Sequence, residues 1–186
     1  MSEATSRRWT SADLELLPDD NIRYEIIDGE LFTAEWPHWH HQVTCGNIYV
    51  ELDNYSQATM LGEPNISPGL VFSETDDVTP DVVWVSGERL AILLDEAGHL
   101  TGAPELAVEV LSPGVRNEQR DRQAKLKLYE SQGVREYWIV DWRLRQVEVY
   151  RRDHGMLRLV NTFLAEDEIT SPLLPGFACP VARFFS

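Results

Sequence analysis

The sequence predicts a mixed α/β domain. Short β-type runs alternate with long helical stretches, as in α/β folds, yet some runs also face each other across tight turns. A 43% hydrophobic fraction with 10% aromatic residues over 186 residues is enough for a sizeable core. One domain spanning 1–186 is expected, its core between about 23 and 151.

Ser11 to Leu17 reads as a short helix, with Ser11 as cap and Pro18 closing it. Asp28-Gly29 between RYEII and ELFT is a strong hairpin signal. His41, Cys45, Ile48, Leu52 and Tyr55 recur at helical spacing and mark one face of about four turns. Strands are expected at Gly69–Phe72 and Pro80–Ser86, and a helical patch at Glu88–Glu96. Glu105–Leu111 follows as a strand, closed by Ser112-Pro113-Gly114. Arg116 to Gln132 lacks Gly and Pro and stops at Gly133, so it reads as one long helix. Arg135–Asp141 and Gln146–Arg151 read as strands, with one or two more before the C-terminus.

Charge narrows the function classes. Sixteen Lys and Arg against 31 Asp and Glu leave a net charge of −15, the wrong sign for a general nucleic-acid binder. The segment Arg116–Arg158 is locally basic, with 11 cations against 7 acids. It is either a binding face, with Arg120 and Arg122 as candidate contacts, or a solvated helix. Cys45 and Cys179 form no CxxC, which argues against a thiolate zinc site or a disulfide scaffold. No apolar leader or membrane-length run is present, so a cytoplasmic location is expected.

Two carboxylates sit in apolar strands. Asp81 precedes VVWV, and Glu109 lies within LAVEVL, a pattern buried on both sides. A buried ionised carboxylate must be paired, hydrogen-bonded or metal-bound. Two on neighbouring strands could share one hard cation. The bland alternatives are a turn cap for Asp81 and an arginine partner for Glu109. Both lysines of the chain, Lys125 and Lys127, lie on the helix after the Glu109 strand. Asp121, Lys125 and Tyr129 form one stripe, so Lys125 either faces the strand or pairs with Asp121 at the surface. Lys127 points to the opposite side. A zinc cluster of His38, His40, His41 and Glu35 lacks a convincing fourth ligand.

RYEIIDGEL, the His41 helix, PDVVWVS, PELAVEVLSP, DRQAKLKLYESQGV and REYWIVD, in that order and spacing, resemble the PD-(D/E)XK nuclease superfamily. Within it they resemble the Uma-type, restriction-endonuclease-like family. The resemblance implies a restriction-endonuclease-like core with a central mixed β-sheet flanked by helices, and an N-terminal β-hairpin. It implies a DNA endonuclease using Mg²⁺ or Mn²⁺, with Asp81, Glu109 and Lys125 catalytic. The metal ligands would be Asp81, Glu109 and the Val110 carbonyl, and Glu30 and His41 would be auxiliary. Leu111 stands where the superfamily carries its lysine, so Lys125 would replace it from the following helix. DNA and a second copy of the chain are the expected partners, with no membrane. Two other readings stay open: an inactive nuclease fold serving as a binding or regulatory module, and a hydrolase of another phosphodiester.

Overall fold

The computed structural model describes residues 8–18, 22–34 and 36–186. A six-stranded mixed sheet forms its centre, in the order β10-β9-β8-β7-β6-β3. Its strands are β3 (Gly62–Ile66), β6 (Val82–Ser86), β7 (Leu106–Val110), β8 (Glu136–Asp141), β9 (Gln146–Asp153) and β10 (Met156–Leu164). Only β7 and β8 run parallel, with Glu109 beside Ile139. That crossover carries the helical run: α4 (Val115–Gln119), a π-helical segment (Arg120–Lys125) and α5 (Leu126–Gln132).

Each face of the sheet buries its own core. One face (Val82, Trp84, Val108, Val110, Trp138) packs against Cys45, Ile48 and Leu52 of α2 (Trp39–Thr59). The other (Val83, Ala107, Leu111, Ile139) packs under Leu128 and Tyr129 of α5. All residues of β7 and β8 are buried, as expected for strands covered on both sides.

A smaller sheet, ordered β2-β1-β5-β4, holds β1 (Arg23–Ile27), β2 (Glu30–Ala34), β4 (Leu70–Ser73) and β5 (Asp76–Val78). The β1–β2 hairpin turns through Asp28 (φ 50°) and Gly29 (φ 73°), the left-handed pair that Asp-Gly supplies cheaply. The remaining elements are α1 (Ser11–Leu14), α3 (Gly87–Leu93), the β11–β12 pair (Glu168–Thr170, Ala178–Pro180) and a C-terminal 3₁₀ turn, Val181–Phe185. Among the described residues, no helix is long and apolar enough to cross a membrane.

Two expectations are corrected, and two strands lie where none was expected. The first helix is a single turn that starts after Thr10, whose N–H and hydroxyl both donate to the Asp13 carboxylate. Ser11 is therefore inside the helix rather than its cap. The helix after β7 is not α throughout: its middle widens to π geometry over Arg120–Lys125, a local feature that often marks functional sites. Strand β3 is hidden in the sequence by Pro64, which is tolerated because β3 is an edge strand. Its Gly62 is needed where it crosses β6, since a Cβ there would lie 2.2 Å from the Val85 carbonyl oxygen. Strand β5 is short and begins with two aspartates, so it carries no β signature.

Candidate active site

Strand pairing brings the two predicted carboxylates together. Val82 pairs with Val108 in the β6–β7 ladder, so Asp81 and Glu109 occupy the next step, where the strands part. Here the Val110 N–H donates to Asp81 Oδ2 at 2.8 Å instead of to a backbone carbonyl. Asp81 is 5% exposed and Glu109 1%.

Lys125 reaches the same place from the helical run. It is 1% exposed, so its stripe faces the sheet. Its Nζ lies 2.9 Å from Glu109 Oε1 and 2.8 Å from Glu25 Oε1. The Tyr129 hydroxyl also donates to Glu109 Oε1, at 2.8 Å. The alternative of a surface Asp121–Lys125 pair is not what forms. Asp121 is buried and accepts from Arg120 Nε at 2.8 Å, while Lys127 is exposed.

Glu25 was not anticipated as a site residue. It accepts from the Thr79 N–H at 2.8 Å, and Arg120 Nη1 lies 3.6 Å from its other oxygen. The signal was present: RYEII places one acid in an apolar strand, the same pattern that singled out Glu109 in LAVEVL. His41, in the first turn of α2, puts Nε2 at 3.3 Å from Asp81 Oδ2, and Arg23 approaches Oδ1 at 3.5 Å.

Some predicted residues stand elsewhere. Glu30 is exposed at the hairpin end, opposite Ile27, and joins none of these contacts. Arg120 is buried against Asp121 and Glu25, and Arg122 Nη1 sits 2.7 Å from both Glu148 oxygens. The two arginines therefore do not form a free cationic face. Glu35 of the weighed zinc cluster lies outside the described residues.

The electrostatics separate the acids. Burial pushes Asp81 up, but the hydrogen bond and charge of His41, with Lys125 and Arg23, outweigh it and hold the carboxyl at about 2. Burial also opposes ionisation of Glu25, where Lys125, Arg120 and the Thr79 N–H prevail and lower it. Glu109 goes the other way. Burial dominates there, Lys125 only partly offsets it, and Asp81, Asp121 and Glu25 add repulsion, so its carboxyl is pushed up to about 8. Glu25 and Glu109 compete for one ammonium, and the proton falls to Glu109.

The donor set fits a hard divalent cation. Asp81 and Glu109 stand at opposite positions where β6 and β7 part, and the repulsion from Asp81, Asp121 and Glu25 that adds to burial in raising Glu109 is what a cation would relieve. His41, Cys45 and Asp81 also offer three ligand atoms within 4.8 Å of one another. The Cys45 thiol is raised by burial and then by the Asp81 and Glu109 charges, so without a cation it is protonated.

Comparison with known proteins places the chain. A solved structure of similar fold is that of a putative nuclease belonging to DUF820 from Anabaena variabilis ATCC 29413. The TM-score is 0.77 at 17% identity, over 95% of this chain and 97% of that one. This likeness concerns the fold. No curated protein matches the chain. Residues 11–182 match the family model of Uma2, described as "putative restriction endonuclease". Nearly the whole chain, including every residue of the Asp81–Glu109–Lys125 cluster, lies within that match, and the protein belongs to the Uma2 family.

Proposed function

We propose that the protein is a metal-dependent DNA endonuclease. The observation that carries this reading is Lys125, which reaches Glu109 from the helix and supplies the ammonium that Leu111 cannot. Asp81, Glu109 and the Val110 backbone would hold Mg²⁺ or Mn²⁺. Bound there, the ion would polarise the scissile phosphate and make its water more acidic. Lys125 orients the attacking water and stabilises the charge that develops on the phosphate. Glu25 anchors the Lys125 ammonium from the far side, and Tyr129 fixes the Glu109 carboxylate. His41 and Arg23 keep Asp81 ionised. Two copies of the chain would each cut one strand of a duplex.

A second reading is a nuclease fold that binds without cutting. It is favoured by the full engagement of Lys125 between two buried carboxylates, and by the net charge of −15. Incubating supercoiled plasmid and single-stranded DNA with Mg²⁺ or Mn²⁺ separates the two. Metal-dependent nicking by wild type that is lost in Glu109→Ala supports the enzyme. Absence of any nicking, together with no heat of Mg²⁺ or Mn²⁺ binding by calorimetry, refutes it in favour of the binding module.

A further inference from the structure

Beside the carboxylate site, a second feature has no role in the chemistry above. The first turn of α2, the β8–β9 turn and the C-terminal 3₁₀ turn enclose a cleft of about 260 Å³. His40, Thr44, Trp142, Arg143, Arg145 and Phe185 line it, and among the described residues no acidic side chain does. The cleft thus joins rings with two guanidinium groups in a chain of net charge −15.

The rings are already stacked. His38 lies on Trp142 with centroids 4.6 Å apart and planes 12° from parallel, and His40 is 5.6 Å from the same indole. Both imidazoles are exposed, so the stack is open to solvent. Two further indoles of the same segment, Trp36 and Trp39, are each 77% exposed. Of the two arginines, Arg143 is held by Asp141 and Glu118. Arg145 has no carboxylate partner among the described residues, and its guanidinium lies 5.8 Å over the Phe185 ring. Its backbone is left-handed (φ 53°), a conformation that Gly or Asn would adopt at lower cost.

Chain neighbours and one hydrogen bond link the elements of the cleft to those of the carboxylate site. His40 adjoins His41, which touches Asp81. The Trp142 indole N–H donates to the carbonyl of Leu111, two residues beyond Glu109, at 3.1 Å.

We propose that this cleft seats an unpaired nucleotide of a DNA strand, its base stacked among the His40, Trp142 and Phe185 rings and its phosphate met by Arg145. The inference rests on the reading that DNA is the ligand of this protein, and it narrows that ligand to DNA with single-stranded character. Aromatic side chains hold successive bases without sequence preference because every base has a π-face. A stacking contact also lets an acidic protein bind DNA with few phosphate contacts.

The test is fluorescence anisotropy of a labelled oligo-dT and of a blunt duplex, in EDTA, over a range of salt. Arg145→Asn suits the left-handed backbone, so it removes the guanidinium and leaves the turn intact. We expect several-fold weaker oligo-dT binding and a log–log salt slope shallower by about 0.7, the value for one phosphate contact on a single strand. Trp142→Ala should weaken oligo-dT binding by about tenfold or more, whereas Trp142→Phe, which keeps a ring, retains most of it. Duplex affinity should change little in any variant. Unchanged oligo-dT affinity and slope in Arg145→Asn overturns the proposal, as does an equal loss on duplex and single strand. Plasmid nicking with Mg²⁺ is read separately. If wild type never nicks but the Arg145-dependent affinity for oligo-dT persists, the nuclease reading fails and the nucleotide site stands.

Discussion

Replacing Glu109 by Gln tests the electrostatics of the site directly. The amide copies the shape of the neutral carboxyl, and its oxygen can still accept from Lys125 and Tyr129. In the folded protein Glu109 holds its proton up to about pH 8, whereas the unfolded chain releases it near 4.5. Between these values the folded state binds more protons, so wild-type stability must fall as pH rises and level off above about 8. The interval corresponds to about 5 kcal/mol at 1.36 kcal/mol per decade, most of it lost between pH 5 and 9. Glu109→Gln lacks this loss. The variant should match wild type to within about 1 kcal/mol at pH 5 and exceed it by several at pH 9. Urea unfolding from pH 5 to 9, in EDTA, measures both curves. Asp81, held at about 2, titrates below this window, and Lys125, raised by its carboxylates against the cost of burial, titrates above it. Parallel curves for the two proteins would refute the reasoning. A variant weaker by 3–5 kcal/mol at pH 7 and above would mean that Glu109 is an ionised partner of Lys125.

The same site yields three further predictions. Asp81→Asn should eliminate the heat of Mg²⁺ binding and metal-dependent nicking. The amide oxygen can still accept from the Val110 N–H, but the neutral group forfeits the interactions that hold the carboxyl at about 2, so it should cost about 2 kcal/mol of stability at pH 7, and a retained metal heat would count against Asp81 as a ligand. Lys125→Met leaves Glu25 and Glu109 facing each other without their shared cation. Chemical denaturation should show a loss of about 3–5 kcal/mol at neutral pH, and a change below 1 kcal/mol would mean that the ammonium is dispensable to the fold. Mg²⁺ binding at pH 7 must displace the Glu109 proton, so calorimetric heats should differ between buffers of unlike ionisation enthalpy, and buffer-independent heats would remove Glu109 from the ligand set.

Much of the architecture was legible because periodicity reports burial directly. The face His41–Cys45–Ile48–Leu52–Tyr55 is buried as its spacing requires, and LAVEVL forms a strand covered on both sides. Asp28-Gly29 makes the hairpin because both residues accept left-handed backbone. A sequence read residue by residue also flags an acid within an apolar strand, which identified Glu109 and, applied to RYEII, would have identified Glu25. Other features depended on neighbours that periodicity does not encode. Pro64 argues against a strand until the sheet places it on an edge. Glu30 and Glu25 lie on the same hairpin, and only the packing of β1 turns Glu25 towards Lys125 while Glu30 stays exposed. The basic count of Arg116–Arg158 is real, but Arg120 and Arg122 spend their charge on Asp121, Glu25 and Glu148. The chain alone determined which residue types were present and which of the acids lay in apolar runs. The tertiary structure decided which acid holds the lysine and which holds a proton, because both follow from distances of a few ångströms in a dry interior, where small displacements change electrostatic energy most.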